Sequence, residues 1–211
     1  MMEFKSKKVR SLFPVLIDRP VDQVFPLVCP VEEYKWIPGW KCNLIHCPND
    51  RVELGTVFVE ISSAPFLMGN FQGKTTWTVI TYDPDNYKIH FRLNNKHSSS
   101  LYKIELEDNG KGGTKGKLEF TYETMSKKGN KLVGKNREGK IQIMLSIIHA
   151  MLQCYSETKK MISDSRLQKQ ILLEKELSVI DKIHLGLNLL AMSIMKDKDR
   201  SRFMKRIYGV T

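Results

Sequence analysis

The side chains that combine reactive type with suggestive spacing are few, and a carboxylate comes first. In Val57-Phe58-Val59-Glu60 the glutamate shares strand parity with Phe58, so a face that sends Phe58 to a core sends an acid with it. An inward Glu60 would be a buried carboxyl suited to general acid or base work; an exposed strand edge is the plainer expectation. Glu32 and Glu33 could present a carboxylate near a site entrance, although a solvated helix face suits them better. His149 falls beside the main apolar stripe of a long helix, where it either orients a polar ligand group or sits as a hydrogen-bonded boundary histidine. Glu60 and His149 are thus weak catalytic candidates, with Tyr102 and Tyr122 as further proton-bearing groups on strands.

Other chemistries find less support. Cys42, His46 and Cys47, with Cys29 upstream, are metal-ligand types, but alternation splits Cys42 and His46 from Cys47 and no Cys-x-x-Cys pair or second cluster follows. Cys29 has no base beside it in sequence, which argues against nucleophilic catalysis. His46, His90, His97, His149 and His184 contain no His-x-x-x-His pair, and Gly112-Gly113 with Gly116 lies in a hairpin, not in the strand-to-helix turn that cradles phosphate. No metal and no cofactor are expected.

These residues must be held by elements the sequence also foretells. Residues 11–17 read as a strand, Pro20 opens a short helix over 21–28, and Pro26 and Pro30 keep it short. An aromatic-rich link follows at 32–40. From 41 to 125 the texture is period-two, with strands near 41–46, 56–61, 75–82, 88–94, 97–107 and 114–125 separated by turn-forming stretches such as Asp83-Pro84-Asp85-Asn86. Hairpin-length gaps predict an antiparallel sheet with one face toward a core. Residues 137–163 form the best helix: Ile141, Met144, Leu145, Ile148, Met151, Leu152, Tyr155 and Ile162 recur at three and four. A second group, Ile143, Ile147, Cys154 and Met161, lies off that stripe and calls for another packing partner. Residues 166–208, with a broken helical pattern around Gly186, could supply it.

A sheet whose first strand is split from the rest by short helices, with one long helix at its end, is an α+β helix-grip arrangement of about seven strands. The residues themselves resemble the START-like superfamily, which includes the birch-pollen-allergen proteins and the polyketide cyclase/dehydrase and lipid-transport proteins. The resemblance runs through Arg19-Pro20-Val21-Asp22-Gln23-Val24-Phe25 and Cys29 to Trp40. It continues through Gly55-Thr56-Val57-Phe58, Thr76-Trp77-Thr78-Val79 and Tyr82-Asp83-Pro84 to Gly129-Asn130, covering about residues 10–163. The Cys29–Trp40 stretch is similar to one uncharacterised branch. The resemblance implies an apolar ligand, such as a lipid, polyketide or isoprenoid, between sheet and long helix, in a carrier or sensor. Its wall would be Trp77, Phe91, Tyr102, Phe120, Tyr122, Met144, Ile148, Met151 and Tyr155, residues that periodicity also sends inward and that would equally fill a solid core. Trp36 and Trp40 would stand at the pocket mouth or, more plainly, wedge the short helices against the sheet. A cyclase or dehydratase is the alternative reading.

Composition bounds the rest. The 211 residues, 41% hydrophobic and 27% charged, suit one domain over 1–165 with a helical extension over 166–211. No run approaches the ~20 apolar residues of a membrane-spanning helix, and the first residues lack a secretion-signal core, so a cytoplasmic protein is expected. Four cysteines are too few for a disulfide scaffold. The formal charge of +11 invites nucleic acid, yet 127–140 and 196–206 carry nine of those net charges. The first stretch reads as a solvated loop without aromatic residues on which bases could stack, so no nucleic-acid partner is expected. The second could rest on an anionic membrane or a partner, or make a homodimer through the C-terminal helices.

Overall fold

The period-two segments alternate because most strands have one wet and one dry side. The computed structural model describes residues 4–37, 40–60, 74–133 and 137–162. Its strands are β1 (Lys8–Ile17), β2 (Cys42–His46), β3 (Val57–Glu60), β4 (Thr75–Asp83), β5 (Lys88–Asn94), β6 (Ser98–Asp108) and β7 (Thr114–Thr124). They form one antiparallel sheet in the order β1-β7-β6-β5-β4-β3-β2. Strands β2 to β7 are therefore a meander, and β1 returns to pair with the last of them.

Register stacks the inward residues into rows across the strands. Phe13, Leu118, Ile104 and Ile89 make one row; Phe120, Tyr102, Phe91 and Val79 the next; Tyr122, Ser100, Leu93, Trp77 and Phe58 a third. Beyond them Thr124 faces Ser98, and Thr75 faces Glu60. The rows thus pass from aliphatic through aromatic to polar along the same buried face. The outer face is wet and laced with ion pairs: Arg10 and Lys103 reach Glu119 at 2.8 and 3.6 Å, and His90 and Lys117 reach Glu105 at 3.0 and 2.9 Å.

Helix α1 (Val21–Val24) follows Pro20, as expected, and tightens into a 3-10 turn at Phe25–Val28; a second 3-10 turn spans Glu33–Lys35. Two departures from expectation have local causes. The basic stretch expected to be a loop contains helix α2 (Lys127–Val133), because the Ser126 hydroxyl accepts the Gly129 amide at 3.0 Å and caps its first turn. Glycine is required there: a Cβ on Gly129 would stand 2.3 Å from the His97 carbonyl oxygen. The long helix α3 (Arg137–Thr158) ends before 163, at Lys159, whose φ of 55° breaks the helical path.

Helix α3 runs alongside β1. Gln142 Nε2 donates to Leu12 O at 3.2 Å, His149 meets Leu16, and Arg19 donates to Glu157 O at 3.3 Å. Ile141, Met144, Leu145, Ile148, Met151 and Leu152 are buried, and so are Ile147 and Cys154 from the second group, while Met161 is exposed. The extension over 166–211, with its expected packing partner and basic tail, lies outside the described residues. No helix among the described residues is long and apolar enough to cross a membrane.

Candidate functional site

The middle of the inner face, from β3 to β6, is enclosed by the link after α1. That link folds as it does because its residues repeat at helical spacing: Glu33, Trp36, Ile37 and Trp40 fall at i, i+3, i+4 and i+7, and all four are buried. The amides of Trp36 and Ile37 donate to Glu33 O at 3.1 and 2.8 Å, which winds the turn. Each indole is then pinned by its N–H, Trp36 to Leu27 O at 2.8 Å and Trp40 to Pro30 O at 3.0 Å. Both tryptophans considered for a pocket mouth are thus buried side chains with bonded indoles. Tyr34, on the opposite side of the turn, is exposed and clips the Cys42 backbone, accepting its N–H at 2.8 Å and donating to its carbonyl at 2.9 Å.

Against this link the sheet presents a continuous aromatic surface. Trp77 stacks on Phe58 at 5.5 Å and meets Trp40 and Phe91 edge-on at 5.9 and 5.6 Å; Tyr102 lies 6.2 Å from Phe91 and 5.8 Å from Phe120. Four expected ligand-wall residues, Trp77, Phe91, Tyr102 and Phe120, are thus brought together, with Tyr122 farther along the row of Trp77. Met144, Ile148 and Met151 are buried on α3 in the same core, while Tyr155 is only partly buried, under the Lys159 ammonium at 5.8 Å.

Within this apolar setting sit two carboxyls and a phenol. Glu60 is 4% exposed and not an edge residue; its Oε2 accepts the Trp77 indole N–H at 3.1 Å. Among the described residues its Oε1 has no partner, and neither has the buried Tyr102 hydroxyl. Glu33, expected on a solvated face, is 8% exposed, whereas its neighbour Glu32 faces out and pairs with Lys35. Burial pushes the Glu60 carboxyl up to about 7, with the Trp77 bond acting against it. Burial, and then the charge of Glu60, hold Glu33 well above the ordinary carboxylate range. Tyr102 is held above the phenol range by burial and by Glu33. Glu60 thus titrates at about 7, and Glu33 and Tyr102 are both biased toward their protonated forms, a set able to bind a polar group or relay a proton.

His149 lies elsewhere. Its Nε2 is 3.4 Å from the Leu16 amide and 3.2 Å from the Leu16 carbonyl, its ring packs 5.4 Å from Phe13, and burial lowers its pKa. It joins α3 to β1 and does not meet Glu60. Phe58 and Thr75 were not foreseen as site residues, and Glu33 was weighed for a site entrance but expected on a solvated face. The helical spacing of Glu33 with its three buried neighbours is the signal that could have placed it. The cysteines are free; burial pushes Cys29 up to about 11 and also raises Cys42, so both stay thiols at neutral pH. No group of three metal-ligand side chains gathers among the described residues.

Comparison with known proteins gives these features a setting. The family described as polyketide cyclase / dehydrase and lipid transport matches residues 10–149. A Thalictrum flavum norcoclaurine synthase point mutant in complex with a transition-state analogue superposes with a TM-score of 0.51 at 12% identity, over 75% of this chain and 99% of the other. Ara h 8.0201 is similar at a TM-score of 0.49 and 14% identity, over 73% and 99%. At 12% identity the likeness to the synthase is one of fold alone, the helix grip. No curated protein matches the sequence.

Proposed function

Because the chain belongs to the polyketide cyclase / dehydrase and lipid transport family, we propose that it binds a small ligand with an apolar body and a polar group, as a carrier or sensor. The observation that carries this reading is the pair of orphaned atoms, Glu60 Oε1 and Tyr102 Oη, buried among aromatic rings. An unsatisfied buried polar group costs about 1 to 3 kcal/mol, so two of them in an aromatic interior are best understood as awaiting a partner. The site proposed is the space bounded by the 25–40 link and the β3–β6 inner face, with Trp77, Phe91, Tyr102 and Phe120 as its wall. Lipids, polyketides and isoprenoids are the classes the family description makes most apt.

A second reading, a cyclase- or dehydratase-type enzyme, draws on Glu60, whose carboxyl titrates at about 7 and so can exchange protons at neutral pH. The extension over 166–211 is proposed as a separate helical element for peripheral membrane contact or dimerisation. The test is native mass spectrometry of the full chain purified from its own host. A copurified small molecule released on denaturation is the expected outcome, with lower occupancy in Tyr102→Phe. A bare protein from host cells, combined with a water-filled or solid interior in a crystal structure, would sink the ligand reading.

A further inference from the structure

Two acids buried side by side raise the question of what neutralises them. Among the described residues, the groups that shift Glu33 and Glu60 are the Glu60 carboxyl and the Trp77 indole beside their own burial; no lysine, arginine or histidine is among them. The basic residues that pair with other acids do so at more exposed places, on the outer face at Glu105 and Glu119 and on the solvent side of the link at Glu32. The inner cluster therefore carries acid without a counter-charge, and Glu60 has a free oxygen, Oε1, in an almost fully buried side chain. A second and independent orphan, the Tyr102 hydroxyl, lies on the neighbouring strands' side of Trp77, the two rings 6.5 Å apart.

The surroundings select between the partners that could complete such a site. A neutral alcohol would satisfy Oε1 but leave a carboxylate charge in a low-dielectric interior. A cation would satisfy the atom and neutralise the charge, and aromatic rings, here Trp40, Phe58 and Trp77 packed against one another beside Glu60, attract organic cations through their faces. We propose that this end of the inner face is a site for a small organic cation, an amine or ammonium group on an apolar body, whose charge pairs with Glu60 Oε1 among the Trp40, Phe58 and Trp77 rings. Glu33 and the Tyr102 hydroxyl are then available to a second polar group of the same molecule. The inference rests on the ligand-binding reading above and narrows it.

Titration by 2-phenylethylamine and 2-phenylethanol, followed by tryptophan fluorescence on the full chain, separates the two. The probes share a body and differ in charge. At pH 8 the amine binds at least about tenfold more tightly than the alcohol. Glu60 faces Glu33 from the link, Cys42 from β2 and Trp77 from β4, with Tyr102 on β6 beyond; burial raises the Cys42 thiol and the Tyr102 phenol and biases Glu33 toward its protonated form. With Glu60 titrating at about 7, its ionised fraction, and with it the amine affinity, rises about tenfold from pH 6 to pH 8, while the alcohol's does not. Glu60→Gln abolishes the preference for the amine, and Glu107→Gln, at an exposed acid of the outer face, preserves it; thermal melts of both variants confirm that they fold. Equal affinities, a flat pH profile or a preference that survives Glu60→Gln overturns the cation site and leaves the ligand reading standing. Binding of neither probe up to about 10 mM counts against both.

Discussion

The inner face of the sheet is built differently at its two ends. At the end near the β6–β7 turn, Phe13, Ile89, Ile104 and Leu118 pack as a dry aliphatic and aromatic row under α1 and α3, and the polar atoms present are partnered: Thr114 Oγ1 donates to Arg19 O at 2.7 Å, and His149 bonds Leu16. At the other end, beneath the 25–40 link, Glu33, Glu60, Thr75, Ser98 and Ser100 are equally buried, yet Glu60 and Tyr102 each hold an atom with no partner. The same strands run through both ends. One end shows what the fold requires for stability, and the other departs from it in the direction that a binding site requires.

Truncation at the dry end gives the largest effect. Leu118 is fully buried in the centre of its row, so Leu118→Ala removes apolar area and leaves a cavity, and unfolding free energy in urea falls by about 2 to 5 kcal/mol. If the ends are as distinct as their chemistry, the Glu60 titration near 7 is unmoved. A shift in that titration would show that the two ends are one coupled unit.

Next in size is the pH dependence that the polar end imposes. The folded state raises the Glu60 carboxyl from 4.5 to about 7, so the fold binds this proton more tightly than the unfolded chain does. Its stabilising share is complete below about pH 4.5 and is lost as pH rises through about 7, amounting to about 3 kcal/mol. Glu33 acts in the same sense. His90, His97 and His149, whose protonation burial disfavours, act in the opposite sense, so the informative quantity is wild type minus Glu60→Gln. Urea unfolding at pH 5 and pH 8 is expected to show the variant gaining on wild type at the higher pH. An equal difference at both values would place Glu60 in contact with water.

How much of this was legible in the sequence follows the same division. The strands and the long helix declare themselves through periods of 2 and 3.6, and the dry rows follow from parity alone, since Leu118 and Phe120 must share a face. Parity likewise tied Glu60 to Phe58, but not which face was dry, because β3 spans only Val57–Glu60. Glu33 was harder: a three-residue 3-10 turn has too few residues to show a period, and its charged neighbours Glu32 and Lys35 suggest solvent. Its inward position depends on Trp36, Ile37 and Trp40 carrying the turn into the core, a tertiary effect. The placement of α3 along β1 was invisible to periodicity, which reports that a helix has a dry face and not where on the sheet it rests.

The smallest effect is the most diagnostic, because it concerns sign. Tyr102→Phe keeps the ring stacked 6.2 Å from Phe91 and deletes only a buried hydroxyl without a partner. Removing such a group relieves a desolvation cost, so the unliganded protein gains about 1 kcal/mol. Thr114→Val is the matching change at the dry end: it is isosteric and buried, but its hydroxyl is bonded, so the substitution strands the Arg19 carbonyl and costs about 1 kcal/mol. Melting curves of the two variants should therefore move in opposite directions. If Tyr102→Phe instead destabilises as Thr114→Val does, the Tyr102 hydroxyl has a partner in solution, and the two ends of the sheet are alike in being satisfied.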